Sequence, residues 1–139
     1  MSDLTSLIER VEAATGSDGK LNAEIACAIF FPHLRPARPD DHKEFQYGTP
    51  PGNSAIWCPT GFLQAQNYTG SIDAALTLLP EGMDWRLERN TDIRMGFGAA
   101  VFEPGTPGKY PGIRLYSGAT APLALLAAIL RARQTEARG

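Results

Sequence analysis

The sequence predicts an α+β domain: a small three-stranded antiparallel sheet layered with about four helices, in the order α-α-loop-α-β-β-β-α. Three observations carry this. Apolar residues recur at helical spacing near both ends of the chain. A short helix with its own start and stop signals occupies residues 69–82. Directly after it, from Trp85, the pattern changes to strict alternation.

The first helix is expected over residues 3–14. Ser2 or Asp3 suits its cap, Leu4, Leu7, Ile8 and Val11 form its apolar face, and Gly16 closes it. Ser17-Asp18-Gly19 then turns into a second helix over residues 21–31, with Leu21, Ile25, Ala28 and Ile29 inward and Pro32 as its stop. Residues 32–67 change character: six of the eleven prolines fall here, punctuated by Gly48, Gly52 and Gly61. Phe45, Tyr47, Ile56, Trp57, Phe62 and Leu63 make this no simple linker, and a short strand is expected around Ala55-Ile56-Trp57.

In the third helix, Thr69 and Ser71 offer hydroxyls to the first turn. Ile72, Ala75, Leu76 and Leu79 form one stripe, and Pro80 and Gly82 end it. Trp85 and Leu87 then share one face of a strand, with Arg86 and Glu88 on the other. A second strand is expected over residues 93–102, its Gly96 and Gly98 marking a bulge or a close backbone approach. After a Pro/Gly-rich stretch over residues 103–112, Ile113-Arg114-Leu115-Tyr116 reads as the third strand. Thr120 and Pro122 open the last helix, Leu123, Leu126, Ile129 and Leu130 give it a core stripe, and Arg131 and Arg133 suit its negative C-terminal end.

Length and composition bound the class. The 139 residues read as one domain carrying a long excursion at 32–67, and 43% apolar with 20% charged residues is ordinary globular composition. A net charge of −2 argues against direct nucleic-acid binding. Cys27 and Cys58 make no disulfide framework; Cys27, in an Ala-Cys-Ala-Ile run, suits a buried position. The acidic start Met1-Ser2-Asp3 and the shortness of every apolar run lead to the expectation of a cytoplasmic protein with no membrane contact.

The run YTGSIDAALTLLPEG with Trp85 after it, the terminal ATAPLALLAAILRAR, and the opening residues 7–16 with 21–25 resemble the phage ABA sandwich domain, a family of small phage and prophage proteins. The likeness covers about two thirds of the chain and skips residues 32–67. It implies a non-enzymatic phage or prophage accessory protein acting inside the host cell. It assigns no catalytic residue.

The residues themselves offer little catalytic chemistry. Asp40-Asp41-His42 with His33 lacks any metal-ligand spacing, so a solvated acidic turn is the reading and neither metal nor cofactor is expected. Both histidines fall in one stretch and no nucleophile elbow exists, which leaves the chain without a catalytic constellation. Gly96-Phe97-Gly98 lacks the third glycine of a dinucleotide loop, and Pro104 and Pro107 remove N–H donors from the loop around Gly105–Lys109.

Binding asks less. Tyr47, Trp57, Tyr68 and Trp85 can stack on a flat group, and Arg35, Arg38, Arg86 or Arg114 can pair with anions. Two partners fit: a host protein, whose binding would inhibit a bacterial defence system, or a nucleotide-like small molecule that the chain sequesters. The two tryptophans also suit plain core anchors. Self-association is compatible with each reading. The candidate site residues are Arg35, Arg38, Tyr47, Trp57, Tyr68 and Arg86, centred on the 32–67 excursion.

Overall fold

The computed structural model describes residues 4–38, 54–59, 61–89, 96–104 and 116–138. Their elements run α1 (Thr5–Ala13), α2 (Gly19–Ile29), β1 (Arg35–Pro36), β2 (Ala55–Cys58), β3 (Gly61–Gln64), α3 (Ile72–Leu76), β4 (Asp84–Arg89), β5 (Phe97–Phe102), β6 (Tyr116–Gly118) and α4 (Ala121–Arg138). This is the expected α+β class, with one sheet more than the alternation announces. Strands β4-β5-β6 form the expected antiparallel sheet on the terminal helix; ahead of it in the chain, β1-β2-β3 form another antiparallel sheet, the first of the two, inside the 32–67 excursion.

The helices lie between the sheets. The first sheet packs on α2 through β1 and β2, α2 packs on α1, α1 on α4, and α4 on all three strands of the second sheet. Helix α4 also takes α3 along its side. Residues Leu123, Ala124, Leu125, Leu126, Ala127, Ala128, Ile129 and Leu130 are consequently all buried. The expected one-sided stripe is thus an all-round core helix, because a sheet and two helices surround it. Its alanines let neighbours come close. A Cβ on Gly118 of β6 would stand 2.3 Å from the Ala124 nitrogen, so that strand fits against the helix only as glycine.

Local chemistry explains the helix ends. In α2, the Asp18 carboxylate accepts from the Leu21 N–H at 3.1 Å, and in α3 the Ser71 hydroxyl accepts from the Ala74 N–H at 3.2 Å. Helix α1 has Leu4 at its N-cap, with no side-chain cap bond; the expected capping residues Ser2 and Asp3 lie outside the described residues. Thr120 opens α4, its backbone carbonyl accepting from Ala124.

Three expectations need correction. Helix α3 is shorter than the 71–79 stripe: beyond Leu76 the bonds run three residues back, Leu78 to Ala75 and Leu79 to Leu76. That tighter winding brings Leu78 rather than Leu79 beneath Ala75, and Leu78 is the fully buried one. Thr69 does not cap this helix but joins a buried polar cluster described below. Arg131 and Arg133 are not at a helix end, since α4 continues to Arg138. Arg131 pairs with Glu12 of α1 at 2.6 Å and Arg133 Nε donates to the Leu78 carbonyl at 2.5 Å, so both tie α4 to its neighbours. Of the expected third strand only Tyr116 is described; it opens β6, and residues 113–115 lie outside the described set.

No helix among the described residues is long and apolar enough to cross a membrane. Leu126→Ala should cost about 2–5 kcal/mol in chemical denaturation, as expected for a cavity on a helix with no exposed side to relax toward. A loss below about 0.5 kcal/mol, the size of a surface change, would remove α4 from the core.

Candidate binding surface

The first sheet is built around a buried asparagine that composition gives no reason to notice. Asn22, on α2, is 1% exposed. Its Oδ1 accepts from the Thr69 N–H at 2.9 Å and from the Thr69 hydroxyl at 2.8 Å. Its Nδ2 donates to Asn67 Oδ1 at 3.0 Å and, at 3.5 Å, to Ser54 Oγ. Thr69 in turn accepts from the Asp18 N–H at 2.8 Å, and Ser17 Oγ donates to Asn67 Oδ1 at 2.8 Å. A buried amide is tolerated only when its donors and acceptors are used, and here they are.

The consequence is positional. Ser54 precedes β2 and Asn67 follows β3, so one side chain holds both ends of the β2–β3 hairpin against α2. Gly70 is part of the fit, since a Cβ there would lie 2.5 Å from Asn67 Nδ2.

Within this sheet Arg35 opposes Trp57, and Trp57 opposes Phe62. The next row is Pro36, Ile56 and Leu63. Ile56 is buried in the core, so by strand alternation the Arg35–Trp57–Phe62 row lies on the opposite, outward face. The Arg35 guanidinium stands 4.8 Å from the centre of the Trp57 ring, within cation–π range, and its Nη1 donates to the Pro36 carbonyl at 3.2 Å. All three side chains are half-buried, and Arg38, just past β1, is exposed. Pro36 costs the sheet nothing. The Ala37 N–H donates to the Ala55 carbonyl at 2.9 Å, which leaves Pro36 opposite Ile56 at a position where no ladder bond is made.

The structure therefore joins Arg35 and Trp57 from the candidate set and adds Phe62, which cross-strand register alone reveals. The set does not gather whole. Tyr68 is 3% exposed and belongs to the core; burial pushes its phenol up from the ordinary range, opposed in part by the Arg133 guanidinium. Arg86 is on the second sheet, paired with Glu88 at 2.7 Å. Tyr47 lies outside the described residues, as do Arg114 and Asp40-Asp41-His42. Gly96-Phe97-Gly98 leads into and forms part of β5, so it continues into a strand and not into a helix N-terminus that would receive a phosphate. Among the described residues no three His, Cys, Asp or Glu side chains are gathered in a metal-binding group.

Comparison with family models, with curated proteins and with solved structures finds no match.

The thiols separate two environments. Cys27 is buried on α2, and desolvation pushes its thiol up, whereas Cys58 is half-buried at the hairpin turn, its Sγ donating to the Gly61 carbonyl at 3.4 Å. Both are free. A thiol reagent should modify Cys58 in the native protein and reach Cys27 only on unfolding; equal rates at both would contradict the burial of α2. The unfolded chain ionises the Cys27 thiol before the folded one does. Stability should hold below the ordinary thiol range and fall as pH rises through it, up to the raised folded value. Cys27→Ala should remove that part of the alkaline loss in denaturation curves.

Proposed function

We propose that this chain is a non-enzymatic accessory protein of a phage or prophage that binds a host protein through the outward face of the β1-β2-β3 sheet. The observation that carries the reading is the Arg35–Trp57 stack on that face, beside Phe62 and close to Arg38 in sequence. Arginine and tryptophan dominate the energetics of protein interfaces. A guanidinium already held over an indole loses little further side-chain freedom when a partner carboxylate approaches. The phage setting rests on the resemblance of the YTGSIDAALTLLPEG and ATAPLALLAAILRAR segments to the phage ABA sandwich domain. A host partner follows from that setting, and inhibition of a defence system is the use such a contact would serve.

Loop economy supports the choice of face. Ordering residues costs about 1–2 kcal/mol of backbone entropy each, and a direct link from α2 to α3 would need far fewer than the excursion provides. The hairpin instead turns that chain into a sheet whose inner side joins the core and whose outer side carries the stack.

Arg35→Ala with Arg38→Ala should abolish capture of the host partner in crosslinking from a bacterial extract while the melting temperature stays within a degree or two of wild type. Unchanged capture would remove the arginines from the interface. The nucleotide reading is checked in the same assay series. A nucleotide at a hundredfold excess over its Kd would stabilise the wild-type protein by about 2.7 kcal/mol, and such a gain, lost in the double variant, would put the small-molecule reading in its place.

A further inference from the structure

The β2–β3 hairpin and helix α4 are held in place by different means. Both ends of the hairpin are fastened by side-chain hydrogen bonds: Asn22 Nδ2 donates to Asn67 Oδ1 at 3.0 Å and to Ser54 Oγ at 3.5 Å, and Ser17 Oγ donates to Asn67 Oδ1 at 2.8 Å. Its buried residues are Ala55 and Ile56 of β2 and Ala65 just past β3, so among the described residues Ile56 is the large side chain it sinks into the core. In β3, Leu63 and Gln64 are exposed. Helix α4, by contrast, is buried at every residue from 123 to 130. From this division we infer that the hairpin opens from α2 as one unit while the helical body stays folded, with the bonds of Asn67 and Ser54 to Asn22 as its latch.

The chemistry of the latch sets the ease of opening. When the hairpin lifts, each amide and hydroxyl of the latch exchanges a protein partner for water, and the net cost of such an exchange is small. Apolar side chains find no substitute partner in water, so a segment buried as α4 is comes free only with the whole core. Two residues bound the unit. The Leu34 N–H donates to the Phe31 carbonyl at 2.9 Å, which keeps the start of β1 with the end of α2. Tyr68, 3% exposed, keeps the chain after Asn67 in the core. Once off α2 the hairpin does not persist, because two isolated strands are marginal in water. Two amides far apart in sequence therefore report one event. The Ala37 N–H donates to the Ala55 carbonyl across β1–β2, and the Ala65 N–H to the Ser54 carbonyl across β2–β3, each at 2.9 Å.

Opening switches the candidate surface. Trp57 lies opposite Arg35 only while β2 pairs with β1, so the latched form carries the stack and the open form lacks it. A partner that recognises the stack selects the latched form and holds the hairpin down. That consequence rests on the binding role proposed above. The opening itself does not, and it is measured without any partner, so a failure of one leaves the other standing.

Native-state hydrogen exchange of the full chain, read amide by amide at low denaturant concentrations, tests the opening. The Ala37 and Ala65 amides should share one opening constant, larger by about tenfold or more than that of the amides in residues 123–130. Its denaturant dependence should be shallower, because less surface is exposed. Ile129→Val, on α4, should speed the α4 amides about two- to tenfold and leave Ala37 and Ala65 unchanged, since the body is intact in both the latched and the open form. Asn67→Ala, at an exposed position, severs two latch bonds and should speed Ala37 and Ala65 about tenfold. Hairpin and α4 amides falling on one denaturant dependence would overturn the inference, as would different opening constants for Ala37 and Ala65. So would acceleration of both sets alike by Ile129→Val, or wild-type rates at Ala37 and Ala65 in Asn67→Ala.

Discussion

Everything in this fold answers to α4. A helix whose residues 123–130 are all buried must be covered on every side, and no single partner can do it. The β4-β5-β6 sheet takes one side, α1 and α3 take others, and the chain is routed so that each arrives there. The small residues follow from this. Ala124, Ala127 and Ala128 are buried without bulk, and Gly118 on the sheet meets the helix backbone at Ala124. Where α4 leaves the core its contacts turn polar at once: Arg131 to Glu12, Arg133 to the Leu78 carbonyl, and Gln134 Nε2 to the Thr5 hydroxyl at 2.7 Å. These bonds hold the register of α1 and α3 on the helix, a task hydrophobic burial alone performs poorly because it is non-directional.

Among the described residues the first sheet packs chiefly on α2 rather than on this central helix, and it depends on a different device. Asn22 spends all of its hydrogen-bonding capacity on Thr69, Asn67 and Ser54. A buried polar cluster is costly when any member is unsatisfied, which makes it selective for one arrangement of the strands. Held at both ends, the β2–β3 hairpin can lay Ile56 into the core and leave Trp57 outward under Arg35. The candidate binding surface is thus positioned by a residue it does not contain.

The sequence announces this architecture unevenly, and for physical reasons. The periodic segments are legible: α1, α2, α4 and the β4–β5 alternation bury one face or more, and burial writes itself into spacing. Helix α3 is legible as a helix, but its spacing points to Leu79 where Leu78 is the buried residue, because the winding tightens after Leu76. The first sheet was legible only as Ala55-Ile56-Trp57. Its partners β1 and β3 are two and four residues long, too short to show alternation, and one contains a proline. Asn22 was invisible, since a helical asparagine has no pattern until its partners 45 and 47 residues away are known. Tyr68 shows the converse error: an aromatic next to a loop suggested a stacking surface, and the fold turned it inward.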